Sequence, residues 1–158
     1  MTMADDTESV RSHLRRMRLG WGAFVATVPF AVAVASAAPR LTSKLGSPST
    51  LTLLALAVSL WVGFTAERDS RSRLDRIKRA FAVHGDLTRL LRDHLAVFLI
   101  VMLRLEIIVL GGVVIAIWGI GPRLGVWIVA LGGLMMGLAW PTVRKTRILI
   151  LRARELQA

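Results

Sequence analysis

From Leu95 to Ile120 the chain runs 26 residues with two charges, Arg104 and Glu106. About 20 apolar residues in a helix cross the ~30 Å hydrocarbon core of a bilayer. A run of this length therefore predicts a spanning helix, and the rest of the chain has to accommodate it. Arg104 lies nine residues past Leu95, about 14 Å along a helix rising ~1.5 Å per residue. On the translocon scale a charge at the helix centre costs about 2.5–3.5 kcal/mol. The 17 Leu, Ile, Val and Phe of the run return roughly 5–10 kcal/mol. Insertion of the segment alone is close to balanced, so the two charges need partners.

They cannot serve each other. Residues two apart on a helix point about 200° apart. The residues three and four away from Arg104 are Ile100, Val101, Ile107 and Ile108; those around Glu106 are Met102, Leu103, Val109 and Leu110. Each charge therefore requires another helix, another chain, water, or a snorkelling path to the headgroups. Three readings follow. The membrane begins near Arg104 and Leu95–Leu103 is the buried end of a longer helix. Alternatively, the charges form structural pairs across a helix or subunit interface. In the third, they line a transport or proton path.

Three further apolar stretches, without charge, predict three more spans: Leu19–Ala38, Thr50–Ala66 and Leu124–Trp140. Apolar residues in blocks, at 54% hydrophobic content and mean hydropathy +0.60, indicate spanning helices rather than a membrane barrel. The fold class expected is all-α: an integral membrane four-helix bundle of two hairpins with a basic helical extension. Residues 1–18 form an N-terminal segment and residues 19–141 the spanning domain, which includes the helical loop 67–94. Residues 142–158 form a basic tail. Pro29 is expected to kink the first span, and Pro141 to bend the chain after the last. Ala35-Ser36-Ala37 after a basic segment also fits a signal-peptide cleavage site, but the 20-residue apolar stretch exceeds the usual ~7–15 residues.

Charge sets the orientation. The N-terminal segment, the 67–94 loop and the tail carry 17 Arg and Lys; the opposite turns carry only Arg40, Lys44 and Arg123. The positive-inside rule then puts both termini and the long loop in the cytoplasm of a cell (plasma) membrane. All five tryptophans fall near span ends, where interfacial aromatics sit. Net charge is +11. With the basic residues flanking spans, anionic lipid at the cytoplasmic face is the expected counterpart. Nucleic acid is not, because the basic segments carry almost no aromatics for stacking and no recognisable motif.

The two halves resemble each other faintly. Ser12-His13-Leu14 and Asp93-His94-Leu95 precede the first and third spans, and Pro-Arg-Leu occurs at both outer turns. This would be a parallel repeat. Within 67–94, Leu74, Ile77, Phe81, His84, Thr88, Leu91 and Leu95 recur at helical spacing. Gly85-Asp86 predicts a helix end and an N-cap, so one helix should stop near His84 and another start at Leu87. With Arg71, Arg76, Lys78 and Arg79 opposite Leu74, Ile77 and Phe81, the first of these is a basic amphipathic helix. It suits an anionic membrane surface, a partner, or its own bundle.

No chemistry-bearing constellation emerges. The absence of cysteine excludes disulfides, thiolate chemistry and cysteine-held metals. His13 and His94 match in position, but nothing supports haem ligation, and no His–carboxylate cluster has metal spacing. No cofactor is expected. Gly111, Gly112, Gly133 and Gly137 lie within spans, where small residues permit close helix packing. By elimination, the expectation is a non-enzymatic accessory or scaffold subunit that binds other membrane protein subunits. The alternative is a small homo-oligomeric transporter or channel using Arg104 and Glu106.

Overall fold

The computed structural model describes residues 3–41, 50–118 and 122–156, all helical apart from short connections and without a strand among them. Six helices follow one another: α1 Met3–Val25, α2 Thr27–Leu41, α3 Thr50–His84, α4 Leu87–Trp118, α5 Pro122–Leu138 and α6 Val143–Glu155. The first is broken from the second only at Ala26. Pro29 accounts for the break, since its ring excludes a normal helical approach to the carbonyl of Val25 four residues earlier. Thr27, just past the break, donates its hydroxyl back to the Phe24 carbonyl at 2.6 Å.

The turn between α3 and α4 matches its sequence signal. Gly85 adopts φ 66°, the left-handed conformation that ends a helix, and its N–H donates to Phe81 at 2.7 Å. Asp86 caps α4, its side chain accepting from the Arg89 N–H at 3.1 Å. The expected continuous stripe through this turn does not persist: His84 and Thr88 are exposed while Leu87, Leu90 and Leu91 are buried. The turn resets the helical phase, which a periodicity read straight across it misses.

At the far end Pro141 interrupts the chain, and α5 and α6 meet at 62°. Lys145 donates its ammonium to the Leu138 and Trp140 carbonyls at 3.0 and 3.2 Å, capping the end of α5. Thr142 caps α6 by accepting from the Lys145 N–H.

Helix α4 is the hub, packing on α1, α2, α3 and α5. Its Met102, Val109 and Ile115 are essentially inaccessible, as are Ala35 on α2 and Val129 and Met136 on α5. A second, smaller core joins Phe81, Leu87, Leu90, Leu91 and Ala153 at the basic end, with Val10, Ile77 and Ile150 packed against it.

Helices α4 and α5 lie antiparallel and very close. Val109 faces Gly132, Gly112 faces Val129, and Ala116 faces Gly125. The outward side of the bundle is also apolar. On α5, Leu124, Trp127, Leu131, Leu134 and Leu138 are exposed; on α4, Leu99, Leu103 and Leu110 are. Helices apolar on every side belong in lipid rather than water.

Two helical stretches are long and apolar enough to cross a membrane, 7–37 (through the break) and 87–117. The bent α5–α6 pair is a third if taken as one span. The expected count of four is finer than this. The segment 50–66, expected as a span, forms the first half of α3.

Candidate functional site

Arg104 and Glu106 leave α4 in opposite directions, as their spacing requires, and each meets a different helix of the same chain. Arg104 Nη2 donates to Asp69 Oδ2 on α3 at 2.6 Å. Arg73, one turn further along α3, donates its Nε to the same oxygen at 3.0 Å. The two guanidiniums thus share one carboxylate oxygen. On the other side, Glu106 Oε2 accepts from the Thr27 hydroxyl on α2 at 2.9 Å. Thr27 has one hydroxyl proton, shared between Glu106 and the Phe24 carbonyl. Thr27 thus sits just past the break at Ala26 and links α2 to Glu106 of α4.

Arg104, Asp69 and Glu106 are all half-buried. Asp69 belongs to the polar stretch that follows the apolar start of α3. Arg104 is therefore level with the polar part of α3, although it sits well inside the apolar run of α4.

A second polar contact lies toward the basic end. His13 Nε2 and His94 Nδ1 are 3.1 Å apart, with ring centroids at 5.2 Å. The two histidines aligned by the faint repeat are thus neighbours. Further along, Gly20 lies against Leu99 and Thr27 meets Glu106, so α1–α2 runs parallel to α4. Both histidines precede their apolar runs. Burial pushes each imidazole down to about 4, Arg16 adding to the effect at His13 and His13 at His94. A bond between two ring nitrogens needs one of them unprotonated. Between about pH 4 and 6.5 the unfolded chain binds more protons than the folded one, so stability falls as pH drops through that window and is full above it. Thermal melts in detergent should hold constant above about pH 7 and decline toward pH 4. In His13→Asn/His94→Asn the decline should be shallower; a parallel pH profile in that variant would exclude the pair as its cause.

Trp21 and Trp140 form a third contact. Trp21 Nε1 donates to the Met136 carbonyl at 2.7 Å and meets the Trp140 ring edge-on at 4.4 Å. The Arg18 guanidinium lies 5.6 Å from the Trp140 ring centroid. This clip ties α1 to the end of α5. Trp61 and Trp127 are exposed, and the side chain of Trp118 lies outside the described residues.

The other expected site residues divide. Phe81 is buried in the small core, Ile77 packs against it, and Leu74 is half-buried. The chain's own helices thus cover the Phe81 end of this apolar face. Arg71, Arg76 and Arg79 are exposed, and Lys78 pairs with Asp75 at 2.9 Å. Among the glycines, Gly112 packs against α5 and Gly133 against Val28 of α2, Gly111 is half-buried, and Gly137 has nothing within 4 Å. Gly133 and Gly137 therefore do not form one packing face inside the chain. The tightest of the described glycines is Gly125, whose close approach is to Ala116 and Gly112 on another helix; the Gly121-x-x-x-Gly125 spacing is its only signal in the sequence.

Among the described residues no three His, Asp or Glu gather where a metal ion could sit. No family model, no curated protein and no solved structure matches this chain.

Proposed function

We propose that this is a non-enzymatic integral membrane protein acting as an accessory or scaffold subunit of a larger membrane assembly. It would cross the membrane four times, with its termini and the α3–α4 hairpin in the cytoplasm. The observation that carries the reading is that Arg104 and Glu106 are engaged separately, Arg104 in an ion pair with Asp69 and Glu106 in a hydrogen bond from the Thr27 hydroxyl. Charges lining one transport path would face a shared lumen. These diverge to opposite sides of α4, and each holds a neighbouring helix in place. The membrane boundary then falls near the Trp21–Trp140 clip, close to the level of residue 100 on α4. Arg104 lies about 6 Å inside it, at ~1.5 Å per residue, within the reach of a snorkelling side chain.

A subunit of this kind would meet its partners through the exposed apolar side of α5. The bare surface at Gly137 lies near that side and is unused by the chain itself.

Mild-detergent purification of the tagged protein from its native membrane, followed by mass spectrometry, tests this. Stoichiometric recovery of other membrane proteins, lost in Gly137→Leu, is the expected result. A clean homo-oligomer with no other protein would overturn it and favour the transporter alternative.

A further inference from the structure

The basic side chains expected to meet the membrane were those of the α3 helix, but a better-formed site lies elsewhere. A furrow runs between α1 and α6. Its membrane-proximal part, about 410 Å³, is lined by Arg11, Leu14, Arg15, Arg18, Leu19 and Val143. Beyond Arg11, Leu14 and Val143 it widens into a hollow of about 540 Å³ bordered by Arg147.

The three α1 arginines recur at i, i+4 and i+7, so they stand on one face of the helix. Arg11, Arg15 and Arg147 make no ion pair among the described residues. The acid nearest in sequence is Glu8, which borders a shallow hollow beside Arg11 and Arg15. The floor and lip are apolar: Leu14 is buried, while Leu19 and Val143 are exposed. The furrow thus joins cationic donors to an apolar exit at the level of the Trp21–Trp140 clip.

We propose that this notch holds the headgroup of one anionic phospholipid of the inner leaflet. Its phosphate would lie among Arg11, Arg15 and Arg18, with its acyl chains passing over Leu19 and Val143. Guanidinium forks match phosphate oxygens, and a basic recess at the inner surface of spanning helices is the geometry that selects acidic lipid. The proposal rests on the membrane placement given above.

The test uses the full chain in nanodiscs of phosphatidylcholine with 30% phosphatidylglycerol, then gentle detergent release and native mass spectrometry. Wild type is expected to retain one phosphatidylglycerol per chain in preference to phosphatidylcholine. Arg11→Gln and Arg15→Gln should each weaken retention about fivefold, as loss of ~1 kcal/mol per surface cation implies. Arg76→Gln/Arg79→Gln should leave it unchanged, and excess inorganic phosphate should not displace the lipid. Equal retention of both lipids would overturn the site. So would equal sensitivity to the α3 arginines, or displacement by phosphate. Membrane placement is checked separately. The chain has no cysteine of its own, so Arg89→Cys should be labelled from the cytoplasmic side of sealed vesicles whether or not lipid is retained.

Discussion

Gly125→Val is expected to separate α4 from α5 and lower the thermal midpoint in detergent by roughly 6–12 °C. A Cβ at this position would stand 2.5 Å from the Ala116 Cβ, the Ala116 backbone nitrogen and the Gly112 carbonyl oxygen. Two of those three atoms are backbone, so no rotamer change relieves the overlap; a helix has to move. Overpacking typically costs about 1–3 kcal/mol, more where the neighbour cannot yield. About 3 kcal/mol corresponds to the shift stated, at ~2–4 °C per kcal/mol for a chain of this size. Moving α5 would also disturb Gly112 against Val129 and Gly132 against Val109. Gly137→Ala is the control. Nothing lies within 4 Å of the added Cβ, and replacing a helical glycine by alanine gains about 0.5–1 kcal/mol. Equal midpoints for the two variants would refute the close α4–α5 approach.

Asp69→Asn should lower the thermal midpoint and Arg104→Met should not, although they remove two halves of one ion pair. Removing Asp69 leaves Arg104 half-buried in an apolar run with no carboxylate. Removing Arg104 leaves Asp69 still bonded to Arg73. An orphaned charge costs more than an absent pair. Arg104→Met also removes a cation from the apolar run; the cost of about 2.5–3.5 kcal/mol that the insertion scale assigns at the bilayer centre is an upper bound on any gain near the boundary. The expected result is a lowered midpoint for Asp69→Asn, an unchanged or raised one for Arg104→Met, and recovery in the double variant. Additive losses in the double variant would mean that the contact does not govern the stability of the α3–α4 pair.

Much of the local structure is legible in the chain itself. The length of α4, the break before Pro29, the left-handed Gly85, the Asp86 cap and the bend at Pro141 follow from residues acting on their immediate neighbours. The two-residue spacing of Arg104 and Glu106 even dictates that they diverge and need partners elsewhere. It carries no information about which partners. Asp69 lies 35 residues from Arg104, and Thr27 lies 79 from Glu106. The same limit applies to Gly125, to the covered face of Ile77 and Phe81, and to the furrow between α1 and α6.

Sequence by itself therefore determined a helical chain with apolar stretches built for lipid, basic residues gathered on the segments between and beyond them, and two charges in search of counterparts. Helix ends, turns and hydrophobic length depend on backbone conformation and solvent transfer, both of which act residue by residue. Only the tertiary structure decided that the counterparts lie in this chain, that His13 meets His94, and that the arginines of α1 rather than those of α3 border an open recess. Those outcomes depend on how rigid helices register against one another, which is set by packing over many residues together.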